Sequence, residues 1–140
     1  MSSENIYLFL AIAAGVALLL LVFGVGYFRR RPKHLDVQKF QTRWQEVQKL
    51  CANKETWPLA IINGDKLLDD ALKQCHYKGK SMGERLVAAQ REISENDTAW
   101  YGHKLRNKLV HEEVAPLKQG EVVRVLAGFR QALKDLGALK

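Results

Sequence analysis

His103-Lys104-Leu105-Arg106-Asn107-Lys108-Leu109-Val110-His111-Glu112-Glu113 reads as one amphipathic helix, and that reading decides the kind of domain around it. Leu105 and Leu109, four residues apart, share one face. At about 100° per residue, His103, Asn107 and His111 fall within roughly 80° of one another on another face, and Trp100 extends that line. A helix with one apolar stripe must bury it against a neighbour. No window of the chain alternates apolar and polar residues at period two, so the neighbours are expected to be helices.

Downstream, Pro116 breaks the helix, and Val122, Val125, Leu126, Phe129, Leu133 and Leu136 form the cleanest helical stripe in the chain, with Gly137 near its end. Upstream, Asp97 or Thr98 is the expected N-cap of the opening helix. Before it, Ser81-Met82-Gly83-Glu84 has the form of a capping box for a short helix whose inner face is Met82, Leu86, Ala89 and Ile93. Ile61, Gly64, Leu68, Ala71, Leu72 and Cys75 form another stripe, with Thr56 as N-cap, Pro58 in the first turn and Gly79 as a left-handed C-terminal residue. Gly64 implies close approach by a neighbouring helix. Val37, Phe40, Trp44, Val47 and Leu50 mark the earliest helix of the set, with Asp36 as its cap. Five amphipathic helices joined by short turns make a small antiparallel bundle over residues 36–140.

The first quarter of the chain is different. Ile6 to Phe28 carries no charge, and a helix of that length spans about 34 Å, enough to cross a bilayer core of roughly 30 Å. The n-region Met1–Asn5 has no basic residue, and Arg29-Arg30-Arg31 stands where a signal cleavage site would be. Residues 6–28 therefore read as a single membrane-spanning anchor, the alternative being an uncleaved or late-cleaved secretory signal. Residues 1–5 form a short external N-terminus and 29–35 a basic juxtamembrane linker. All 22 Lys and Arg follow the span, with Arg29, Arg30, Arg31 and Lys33 directly behind it. The expectation is N-terminus out and C-terminal domain in the cytoplasm. Beyond that flank the domain is mildly basic, which permits a nucleic-acid partner without requiring one. Cys51 and Cys75 lack C-x-x-C spacing and are expected reduced and buried on helix faces.

The polar line on the opening helix invites a metal reading, but His103 and His111 lie about 12 Å apart along the axis, too far to share an ion. No cofactor or metal is indicated. Nucleophilic triads also fail, for want of a serine or cysteine at a turn with a basic partner.

Arg106-Asn107-Lys108-Leu109-Val110-His111 resembles the signature of the HEPN superfamily (higher eukaryotes and prokaryotes nucleotide-binding). That signature is an arginine, commonly followed by a polar residue, with a histidine five positions after the arginine, on a helix of a small all-helical bundle. The resemblance covers Thr56 to about Leu136. It implies a metal-independent endoribonuclease with its site at a homodimer interface, a defence or toxin effector held by an antitoxin or regulatory protein, or else a non-catalytic module binding RNA, nucleotide or a protein partner. Carried onto this chain, it makes His111 the general base or acid, Arg106 the phosphate clamp, and Asn107 the group orienting His111 or the phosphate. An acidic residue on the preceding long helix often supports such sites. Asp65 is the candidate, with Asp69 and Asp70 behind it, unless all three merely solvate an outer face. Glu112-Glu113 stands where some members carry a tyrosine, and puts acidic charge beside the presumed phosphate site. On the residues alone, His103 reads as a packed or capped side chain, and Trp44, Trp57 and Trp100 as core or subunit interface.

Overall fold

The computed structural model describes residues 3–28, 34–113 and 116–140. The protein is all-helical, with no strand among the described residues. It divides into two units, residues 1–32 and 33–140.

The first unit is one helix, α1 (Ser3–Phe28). Its stretch Glu4–Gly24 is long and apolar enough to cross a membrane, and none of it is buried. Exposed leucine, isoleucine and phenylalanine over that length suit a lipid environment. A signal sequence near an N-terminus shares these properties. The basic flank Arg29–Arg31 and Lys33 lies outside the described residues.

The second unit contains α2 (Val37–Lys49), α3 (Trp57–Gln74), α4 (Met82–Ala89), α5 (Asn96–His111) and α6 (Gln119–Asp135). The five expected helices are present, and their apolar stripes are the core. Phe40, Trp44 and Val47 of α2, Ile61, Leu68, Ala71 and Leu72 of α3, Met82, Leu86 and Ala89 of α4, and Val122, Val125, Phe129 and Leu133 of α6 are buried together. α3 is the hub and packs against α2, α4, α5 and α6. Gly64 permits this: a methyl there would stand 3.0 Å from Phe129 Cδ2 and 3.3 Å from Leu126 Cδ2, so α6 lies directly on the α3 backbone.

Caps set the helix ends, and here several sequence expectations need correction. Asp36 does cap α2, its Oδ1 accepting from the Lys39 amide at 3.0 Å. Thr56 occupies the N-cap position of α3, but its side chain makes no capping bond. Its backbone is already helical, because residues 54–56 form a 3₁₀ turn, and its hydroxyl donates backward to the carbonyls of Leu50 and Asn53. Gly79 is not the left-handed residue after α3. The ladder stops at Gln74, so the position falls on His76 (φ 60°), with Tyr77 N–H donating to Leu72 O and His76 N–H to Lys73 O. Gly79 is needed for another reason: a Cβ there would meet Arg85 N and Glu84 Cβ at 2.8 Å. Gly137 (φ 79°) does close α6, with Ala138 N–H reaching Leu133 O at 2.8 Å.

In the capping box of α4, Ser81 Oγ accepts from the Glu84 amide at 3.2 Å, but Glu84 reaches back to the Lys80 amide, one residue beyond the usual partner. α5 begins before Asp97 and Thr98, and neither caps it. Asp135 of α6 explains the shift. Its Oδ2 accepts from both the amide and the hydroxyl of Ser94, pinning the chain so that the ladder starts at Glu95 and both candidate caps fall inside the first turn. Cys75 is buried, whereas Cys51 is only half-buried; neither is in a disulfide.

Candidate functional site

α3 brings one carboxylate to α5. Asp65 follows Gly64 on the crowded edge of α3 and is 3% exposed, one of two buried charged residues among the described residues. Burying a carboxylate is unfavourable without partners. Its partners come from the polar line of α5. Asp65 Oδ1 lies 2.9 Å from His103 Nδ1, and Asp65 Oδ2 lies 3.6 Å from Arg106 Nε. The second contact is an ion pair rather than a hydrogen bond, and Arg106 Nε, though buried, has no hydrogen-bond partner. Burial pushes the Asp65 carboxyl above its ordinary range, while the hydrogen bond from His103, the charge that His103 carries when protonated, and the charge of Arg106 pull it back. Asp69, one turn along, adds repulsion.

Helical spacing continues the cluster. Asn107 is one turn after His103, and its Nδ2 lies 3.4 Å from His103 Nε2. Its Oδ1 accepts from Arg106 Nη1 at 2.9 Å. Asp65, His103, Asn107 and Arg106 thus close a ring of four polar side chains across two helices. Trp100 packs edge-on against the imidazole at 6.0 Å between centroids, and Lys104 lies over the indole at 5.9 Å. Gly83 of α4 receives the far edge of Trp100, where a methyl would stand 3.2 Å from Cη2.

The residues expected from the sequence are therefore distributed as follows. Arg106 and Asn107 are in direct contact. Asp65 joins them, so the expectation that all three α3 aspartates merely solvate an outer face does not hold. Asp69 accepts two bonds from Arg85, from Nε at 2.8 Å and Nη2 at 3.1 Å, and pairs with Lys73; Asp70 pairs with Arg43 at 2.7 Å. His111 is the last residue of α5 and is exposed, and no hydrogen bond or ion pair to it occurs among the described residues. The Glu112 amide closes the helix on Lys108 O at 2.8 Å, and Glu112 and Glu113 are exposed beside it.

His103 is the residue that sequence reasoning passed over. Its four-residue spacing to Asn107 was visible, but its partner Asp65 is 38 positions away. Arg85, 7% exposed and donating also to Gly79 O at 2.7 Å, was missed for the same reason. Among the described residues, no group of three His, Cys, Asp or Glu side chains is placed to hold a metal.

Chemically the ring offers a guanidinium with partly satisfied donors, a carboxamide, and an imidazole backed by a carboxylate. The guanidinium of such a set can bind an oxyanion. No family model, no curated protein and no solved structure matches the chain.

Proposed function

We propose that this protein is a membrane-anchored HEPN-like domain that cleaves RNA without a metal, acting as a homodimer on the cytoplasmic side. The observation that carries the reading is the Arg106–Asn107 contact, backed by buried Asp65, on a helix whose final residue is His111. Arg106 would hold the scissile phosphate and the charge that builds on it. A histidine would take the proton of the ribose 2′-OH as the 2′-oxygen attacks phosphorus, and a proton would be delivered to the departing 5′-oxygen as the P–O5′ bond breaks. The products would be a 2′,3′-cyclic phosphate and a 5′-hydroxyl. His111, exposed at the helix end, would serve a phosphate held by Arg106 of the same chain or of the second copy. A symmetric dimer brings two such sets to one seam. The anchor is α1, and the basic residues after it favour the N-out orientation.

A second reading is favoured by Glu112 and Glu113. Their exposed carboxylates adjoin His111 and would repel an RNA phosphate there. On that reading the domain is non-catalytic and engages a nucleotide, RNA or a regulatory protein such as an antitoxin.

The deciding experiment incubates the detergent-solubilised chain with RNA in EDTA. Cleavage that His111→Ala and Arg106→Ala each abolish supports the nuclease. Intact RNA leaves the binding module, and full activity in His111→Ala removes His111 from the chemistry. A reporter fused after Lys140 that reads as external would overturn the orientation.

A further inference from the structure

The ring has a direction. Ionised Asp65 accepts hydrogen bonds and cannot donate one, so the 2.9 Å contact places the His103 proton on Nδ1. In the neutral imidazole, Nε2 is then a lone-pair acceptor. The Asn107 amide must turn its Nδ2 donor toward it, at 3.4 Å. That leaves Oδ1 for the guanidinium of Arg106, which donates from Nη1 at 2.9 Å, while Arg106 Nε faces Asp65 Oδ2 at 3.6 Å and closes the circle. His103 and Asn107 each donate on one side and accept on the other, between a carboxylate that only accepts and a guanidinium that only donates. Reversing either of them sets two donors, or two acceptors, face to face.

We propose that His103 is a positioning residue: Asp65 holds it as the Nδ1–H tautomer, and that tautomer dictates which end of the Asn107 amide faces Arg106 and so where the guanidinium is aimed. The imidazole transmits orientation and exchanges no proton with a ligand. Its side chain is 12% exposed, against 34% for Arg106, so an oxyanion meets the arginine. Trp100 and Asn107 enclose the ring on the sides that Asp65 leaves open. The consequence for RNA rests on the nuclease reading above; the tautomer and the amide orientation do not.

Two isosteric variants separate positioning from proton transfer. Asparagine superposes its amide on the Nδ1 position of histidine, and glutamine on the Nε2 position. His103→Gln keeps an acceptor for Asn107, and His103→Asn keeps only a donor for Asp65.

The test begins on the unmutated full chain in detergent, labelled with ¹⁵N-histidine and observed by long-range ¹H–¹⁵N correlation above neutral pH. The expected spectrum has His103 protonated on Nδ1 alone, and Asp65→Asn moves its ring nitrogens toward a mixture of tautomers. A proton on Nε2, a ring protonated on both nitrogens, or a parent ring averaged between tautomers overturns the proposal. RNA cleavage in EDTA supplies the second readout. His103→Gln retains most of the parent rate, and His103→Asn loses roughly tenfold or more, as expected when a phosphate clamp is misdirected. Equal losses in the two variants overturn the positioning role. If the parent leaves RNA intact, the nuclease reading fails, and the histidine spectrum alone decides this proposal.

Discussion

Asp65 and His103 meet at 2.9 Å across the α3–α5 contact, with side-chain exposures of 5% and 12%. This pair lies where two helices exchange apolar for polar packing, and it must be kept intact by everything around it. Removing the acceptor with Asp65→Ala strands the His103 Nδ1–H and leaves Arg106 Nε facing no charge. A buried donor without an acceptor and a partly buried cation without a counter-charge cost about 3 kcal/mol together. Urea unfolding followed by the fluorescence of Trp44, Trp57 and Trp100 should show that loss, with Asp65→Asn losing less because it retains an acceptor.

Arg85 should be as sensitive. It is enclosed, holds both oxygens of Asp69, and donates to Gly79 O, so it ties α4 to α3 and to the turn between them. Arg85→Lys cannot reproduce the planar fork, and about 2 kcal/mol or more should be lost in the same unfolding measurement. A lysine variant as stable as the parent would show that the fork is not what holds the turn.

The acid limb of stability follows from two carboxylates. Burial pushes Asp69 up, but the hydrogen bonds and charges of Arg85 and Lys73 outweigh it and hold the carboxyl below its ordinary value of 3.8. Asp135 behaves alike: burial raises it, and the amide and hydroxyl of Ser94 together with Gln131 bring it below 3.8. A depressed folded value means stability that is present above pH 3.8 and lost as pH falls through the lower folded values. Asp65 has the opposite sign, since its folded value is raised and its protonation relieves a buried charge. Stability should therefore fall below pH 3.8, and Asp69→Asn should flatten that fall; Asp65 acts in the range above it, where Asp65→Asn should remove the gain in stability that protonation of Asp65 gives as pH falls toward 3.8, and melting curves over an acid series decide the point.

Glycines mark where α5 and α6 touch. A methyl at Gly102 would stand 2.6 Å from Phe129 Cζ and 2.8 Å from Val125 Cγ1, and one at Gly128 would strike Thr98. Gly102→Ala and Gly128→Ala should each destabilise by roughly 1–3 kcal/mol through overpacking. Gly120 in the first turn of α6 has nothing near it, and Gly120→Ala should stabilise by up to about 1 kcal/mol. Denaturant midpoints of the three variants measured side by side test the contrast.

The anchor makes a separate prediction. The chain should remain in the membrane pellet after alkaline carbonate extraction. Leu19→Arg, which puts a charge near the middle of α1 at a cost of about 3 kcal/mol, should move a substantial share to the soluble fraction. Recovery of the unmutated chain in the supernatant would remove the membrane reading.

The sequence by itself determined the elements. Apolar residues three and four apart must share a helix face, and an uncharged stretch from Ile6 to Phe28 has few uses other than lipid, so α1 to α6 were legible from local pattern alone. It also pointed to Arg106 and Asn107, through their resemblance to a family signature. What only the tertiary structure decided are relations between residues distant in sequence. Asp135 took Ser94 and moved the start of α5; the end of the α3 ladder put His76, not Gly79, in the left-handed position. Asp65 stood ahead of Asp69 and Asp70 only through the family resemblance, and His103 read as a packed or capped side chain. The packing of α3 on α5 buried Asp65 and gave His103 its partner. Periodicity says which residues share a face, while a buried charge is fixed by the specific donors that the opposite face brings to it.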